Sequence, residues 1–277
     1  MPSDFESKGT ILIREALASR FVRRWAKEVQ LKALMLVVAC VPVSAQWIHY
    51  PTPGIPRTPD GKPNLSAPAP RMPDGKPDFS GIWVPADGKY LPNLAVDGVE
   101  VPFRPWAAAL YKERQENHGK GRPSERCLTH GVTDFDALAL PRKIIQTRGL
   151  IAILFEPYNH WRQIFLDGRP LPKTIQPAYM GYSVGKWDGD TLVVDTTGFN
   201  DQGWLDDGGH PQTEALHVTE RLRRRNFGHI DLQITIDDPG AYTKPWTVNL
   251  SGFNFLADEE LMESICEDRD APHMVGK

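Results

Sequence analysis

Four residues in this chain are of the types that carry acid/base chemistry: Arg162, Asp195, His217 and Glu220. A carboxylate or an imidazole moves a proton, and a guanidinium stabilises the negative charge that develops as it moves. Three of the four sit within alternating strand patterns. Glu220 shares its parity with Leu216, Val218 and Leu222, Arg162 with Ile164 and Leu166, and Asp195 with Val193 and Thr197. An ionised group on an apolar strand face is costly unless it is paired. The same pattern therefore fits either a catalytic or anion-binding group, or a structural Arg162–Glu220 ion pair inside the fold.

His210, Glu214 and His217 form a second constellation, with H-x3-E-x2-H spacing. Zinc or another divalent metal uses such residues, with Asp206 or Asp207 as a further ligand. The helical H-E-x-x-H spacing is absent, however, and a junction of loop and strand fixes no ligand geometry. No cofactor or metal is expected, and a metal on this set is the lesser alternative. Such a histidine reads better as a polar group lining the mouth, or as a general base oriented by Glu214. A G-x-S-x-G elbow, a P-loop and a dinucleotide fingerprint are all missing, which argues against the hydrolase-fold esterase, NTPase and Rossmann classes.

The elements that must position these residues are short strands. Period-two patterning and turn signals predict strands over 79–84, 143–147, 150–156, 160–166, 182–187, 191–199, 215–225, 229–237, 246–253 and 261–266. The alternation is clearest where Ile230, Leu232, Ile234 and Ile236 interleave with Asp231, Gln233, Thr235 and Asp237. A short helix is predicted after Pro105, over Trp106–Arg114. The expected fold is mainly β, an antiparallel up-and-down barrel of about eight to ten strands with one short helix.

In such a meander alternate loops share an end. Pro157–Asn159, Asp188–Gly189 and Asn226–Gly228 are tight, whereas Asp167–Gly181, Asn200–Glu214 and Asp238–Pro245 are long. Long loops in a compact fold tend to be binding loops. The expected open mouth is lined by Asp167, Arg169, Tyr179, Asn200, Trp204, Asp206, His210 and Tyr242. Arg162, Asp195 and Glu220 then lie roughly 13–17 Å below it. Catalysis is assigned to His217, Glu220, Arg162 and Asp195, and substrate contact to Arg169, Asn200, Trp204, His210, Glu214 and Tyr242.

Arg23, Arg24, Lys27 and Lys32 precede an apolar run over 33–41, and Val43-Ser44-Ala45 follows. This reads as an export signal over residues 1–45, with an over-long start. Val37-Val38-Ala39-Cys40 offers the alternative of a lipoprotein anchored through Cys40. In an oxidising compartment Cys127 and Cys266 are expected to form a disulfide worth about 4 kcal/mol in the chain-entropy model. Residues 46–78 read as a proline-rich extended arm in which Pro-Asp-Gly-Lys-Pro occurs twice, at 59–63 and 73–77. The barrel should fill 79–277. With a net charge of −3 over 277 residues, no nucleic-acid partner is expected, and no membrane span remains after signal cleavage. The cluster Arg221, Arg223, Arg224 and Arg225 reads as a solvated strand end.

Gly81-Ile82-Trp83 followed by a meander is similar to the lipocalin or calycin pattern. The stretches 161–169, 189–200, 213–221 and 236–243 resemble a large family of exported bacterial β-rich proteins. That resemblance runs over nearly all of the chain after the signal; it implies export and a strand-rich body and brings no activity with it. The expected function is binding of a small molecule at one barrel mouth, with acid/base turnover of the hydrolase, lyase or isomerase type. The alternatives are a lipocalin-like carrier or sensor without catalysis, and a docking protein that uses the proline-rich arm.

Overall fold

Nine strands close into one barrel in the computed structural model, which describes residues 51–266. They are β1 (Gly81–Pro85), β2 (Arg142–Gln146), β3 (Leu150–Phe155), β4 (Trp161–Phe165), β5 (Tyr182–Asp188), β6 (Thr191–Thr197), β7 (His217–Asn226), β8 (His229–Asp237) and β9 (Trp246–Phe255). The export signal over 1–45, including Cys40, and the first arm residues lie outside the described residues. Segment 261–266 is not a strand; Ser264 makes one isolated bridge, to Pro157.

Period-two patterning produces the wall as expected. Val218, Glu220, Leu222 and Arg224 pair with Ile236, Ile234, Leu232 and Ile230, and all eight point inward. Ile234 and Ile236 continue onto Val248 and Trp246 of β9. Each fully buried Ile or Leu contributes about 1.5–3 kcal/mol. Gly252 sits at φ +75° beside an irregularity in the β8–β9 register, where a Cβ would lie 1.9 Å from the Ile230 carbonyl oxygen. Only glycine fits there.

One pair breaks the expected meander. β4 and β5 run parallel, through just Ile164↔Ser183 and Phe165↔Val184. The connection 166–181 must therefore return across the barrel's outside before β5 begins. Loop parity shifts with it. Pro157–Asn159 joins the end that carries the long connections, while Asp167 and Arg169 fall at the opposite end, beside Gly149.

The end with the long connections is roofed. The β1–β2 connection carries α1 (Pro105–Glu116), a 3₁₀ turn (Pro123–Arg126) and α2 (Val132–Ala137). Pro105 opens α1 as expected, since its missing N–H costs nothing at the first turn. Every residue of α2 is buried. The roof interlocks with the β6–β7 connection: Thr133 Oγ1 donates to the Leu205 carbonyl, the Trp204 N–H to that of His130, and the Asp207 N–H to that of Leu91. Cys127, in this roof, meets Cys266 at disulfide distance, Cα–Cα 5.6 Å.

The opposite end is closed by the arm. Trp83 Nε1 donates to the Phe79 carbonyl, and Arg224 lies 4.8 Å over the Trp83 ring while donating to the carbonyls of Asp78 and Phe227. Within the basic strand end Arg224 is thus buried, while Arg221 and Arg225 are solvated and meet Asp188 and Asp231. The two arm repeats fold as matching turns, each closed by an arginine donating to its own turn glycine: Arg57 to Gly61 and Arg71 to Gly75. Arg57 also reaches Asp258, and Arg71 reaches Asp190. Between them Leu65 and Ala67 accept the Gly228 and Phe227 N–H groups. The arm is a strap across this end.

Candidate functional site

The inward faces of β4 and β7 bring Arg162 and Glu220 together, as parity predicted. Arg162 Nη1 donates to Glu220 Oε1 at 2.9 Å, and Nη2 donates to Oε2. The guanidinium also donates through Nε to Ser183 Oγ at 3.1 Å and through Nη2 to Thr196 Oγ1 at 2.9 Å. Ser183 and Thr196 in turn share a hydrogen bond of 3.0 Å. Burial opposes the Arg162 charge, but Glu220 and Asp136 outweigh it and hold its pKa above the ordinary value.

The pair belongs to a buried quartet. Asp136 descends from α2, and Arg142 points inward from the first position of β2. Burial and the neighbouring Glu220 carboxylate push the Asp136 pKa well above the carboxylate range. Arg142 opposes this weakly, its Nη1 standing 3.5 Å from Asp136 Oδ1. Two carboxyl groups in contact hold a proton between them rather than ionise together. Burial lowers Arg142 to about 10, still charged at neutral pH. Arg142 Nη2 donates to the Leu138 carbonyl, and its Nε has no acceptor among the described residues. The sequence reading missed Asp136 and Arg142; the available signal was a pair of acids within the short run 132–137.

Asp195 and His217 do not join this group. On β6 the inward residues are Leu192, Val194 and Thr196, so Asp195 faces outside, and on β7 so does His217. There His217 Nε2 lies 3.0 Å from Asp195 Oδ1, and Thr219 Oγ1 donates to the same oxygen at 2.9 Å. A hollow of about 280 Å³ lies beside them, walled by Arg169, Leu171, Val184, Lys186 and Asp195. The four proposed catalytic residues are therefore two pairs on opposite faces of the wall.

The expected mouth is not open. Trp204, His210 and Tyr242 are 5%, 1% and 1% exposed. His210 Nδ1 meets Asp206 Oδ2 at 2.6 Å in a box formed by Phe103, Tyr111 and Trp246. Tyr242 donates to the Pro211 carbonyl, and Arg114 stacks on Trp204. The Asn200 carbonyl accepts from Gln212 within the loop, and Arg169 is tied to Asp167 and Tyr182 at the strap end. His210, exposed Glu214 and outward His217 do not converge, so they cannot share a metal.

His130, Asp134 and Asp207 do converge, with ligand atoms within 4.8 Å of one another. His130 Nε2 accepts the Ser124 N–H at 3.0 Å, which places the ring proton on Nδ1, facing the two acids at 3.2 and 3.4 Å. With its proton there that nitrogen offers no lone pair to a metal, and the ring stands within ion-pair distance of the two acids as a support in the roof.

The opening to the quartet is in the wall. With only two paired positions, β4 and β5 separate toward the roof and leave a cleft of about 430 Å³. Trp161, Phe165, Tyr179, Met180 and Tyr182 form its sides, with His160 and Thr129 above. Arg162 and Ser183 are its floor. Trp161 is 63% exposed, and Phe165 stacks on Tyr182 at 5.1 Å. Burial lowers the His160 pKa, which favours the neutral ring. Among the described residues no helix is long and apolar enough to cross a membrane. No family model, curated protein or solved structure matches the chain.

Proposed function

We propose that the protein is an exported small-molecule-binding barrel whose site is the wall cleft between β4 and β5. The observation that carries this reading is the cleft itself, about 430 Å³ with aromatic sides and a polar floor, the size and lining of a small-molecule site. The floor argues for binding rather than turnover. Arg162 is engaged by Glu220, Ser183 and Thr196, and neither Glu220 nor Asp136 lines the cleft. Export is supported by the signal-like N-terminus and by two cysteines at disulfide distance. The strand pattern and the resemblance to exported bacterial β-rich proteins are in keeping with it.

Native mass spectrometry of the protein taken from its own extracytoplasmic compartment should detect a bound mass that Trp161→Ala loses. The reading fails if the wild type carries no such mass and a small-molecule screen finds no saturable binding. N-terminal sequencing of the secreted form should begin after Ala45; an intact N-terminus at Met1 would sink the export reading.

One observation favours a second reading, acid/base turnover on the outer wall. Asp195 holds the half-exposed His217 ring beside the 280 Å³ hollow, an oriented imidazole open to solvent. Wild-type protein incubated with an extract of small metabolites should then form a product that His217→Ala does not form. Identical extracts would remove this reading.

A further inference from the structure

The cleft between β4 and β5 has one charged residue in its lining, Arg162, and no carboxylate. Behind that floor the quartet is unbalanced. Arg142 and Arg162 bring two positive charges. Glu220, bound through both oxygens to Arg162, brings one negative charge. Asp136 lies close enough to Glu220 for burial and that carboxylate to hold its pKa well above the carboxylate range, and two neighbouring buried carboxyl groups keep one proton between them. Two positive charges against one negative leave a net of one positive charge, buried beneath the cleft. No acceptor among the described residues meets Arg142 Nε, so nothing else at that atom offsets it.

The sides of the cleft add a shape requirement. Trp161 and the Phe165–Tyr182 stack present flat apolar surface. The outer end of that stack is already covered, since the Arg169 guanidinium, its charge met by Asp167, lies 3.9 Å over the Phe165 ring. A ligand cation would meet the buried positive charge at the floor, with no acid in the cleft lining to receive it.

From this, and resting on the binding reading above, we infer that the cleft selects planar aromatic anions, an aromatic body stacking on Trp161 with its carboxylate or similar group turned toward Arg162 and Ser183. Ser183 and the edge of the guanidinium are the polar groups that the anion would meet. The remaining charge sits deeper and acts through the low-dielectric wall.

The test compares three compounds of one shape: 2-naphthoate, 2-naphthamide and 2-naphthylmethylammonium, titrated calorimetrically into the full-length protein. Naphthoate should bind about tenfold or more tightly than the amide, and the ammonium weakest of all. Trp161→Ala should weaken all three. Arg142→Met removes the surplus charge without touching the cleft lining, and should bring the three affinities together. Equal affinities in the wild type, or a preference for the ammonium, overturn the anion selectivity while leaving a binding cleft. Failure of all three compounds to bind overturns the cleft as a site. A full preference retained in Arg142→Met overturns the buried charge as its source.

Discussion

Arg162→Met is the substitution that most directly tests the buried quartet. The side chain makes two charged hydrogen bonds to Glu220 and one each to Ser183 and Thr196, all away from water. Two charged bonds at about 1.5–3 kcal/mol each give about 3–6 kcal/mol. Breaking a buried ion pair from one side costs about 3–5 kcal/mol, so the two routes agree. Glu220→Leu alone should cost about as much, because it leaves Arg162 without its acceptor. The double variant Arg162→Met/Glu220→Leu should recover most of the loss. Ser183 and Thr196 keep their bond to each other at 3.0 Å, and Asp136 is then free to ionise against Arg142. Its stability should lie within about 1.5 kcal/mol of wild type, as for other volume-conserving core changes. Urea unfolding followed by tryptophan fluorescence reads this directly. With a slope of about 2 kcal/mol/M, each single change lowers the midpoint by roughly 1.5–2.5 M and the double by less than about 1 M. Two single losses that simply add in the double would show that the groups do not act as a pair, and the reasoning would fail.

Two further outcomes follow from the same geometry. Burial and Glu220 keep a proton on Asp136 in the folded chain, while the unfolded chain releases it in the ordinary carboxylate range. The folded state binds more protons from the ordinary carboxylate range up to its own raised pKa, so stability falls as pH rises through that interval. Asp136→Asn removes this contribution, and its stability relative to wild type should climb with pH; a difference that stays constant from acid to neutral pH refutes the assignment. Cys127 and Cys266 enclose a sequence separation of 139, worth about 5 kcal/mol by loop closure. Cys127→Ser/Cys266→Ser should lower the urea midpoint accordingly, and an unchanged midpoint together with two free thiols in the wild type would count against the bond.

Much of the wall was legible because burial on one face forces a period of two. Glu220 between Val218 and Leu222 had to share their fate, and Arg162 likewise followed Ile164 inward. The same rule misled at Asp195. Val193 is buried although it faces outward, so its apolar character does not report the interior. The mouth was misplaced for a different reason. Whether β4 pairs with β5 in parallel depends on contacts between segments, and no local signal in Asp167–Gly181 announces a crossing. Asp136 was hidden because a six-residue helix buried on every side shows no periodicity.

The β4–β5 seam joins through two residue pairs, whereas β5 and β6 join through seven. A ring has no permanent edge, but it has a thinnest joint, and local opening follows the thinnest joint. Amide hydrogens of 161–165 and 182–184 should therefore exchange before those of β7 and β8. Each opening turns β4 and β5 into temporary edge strands, with rows of unpaired N–H and C=O groups that another chain can join. A molecule seated across the seam would hold those two strands together, so an occupied barrel would resist strand exchange and aggregation better than an empty one.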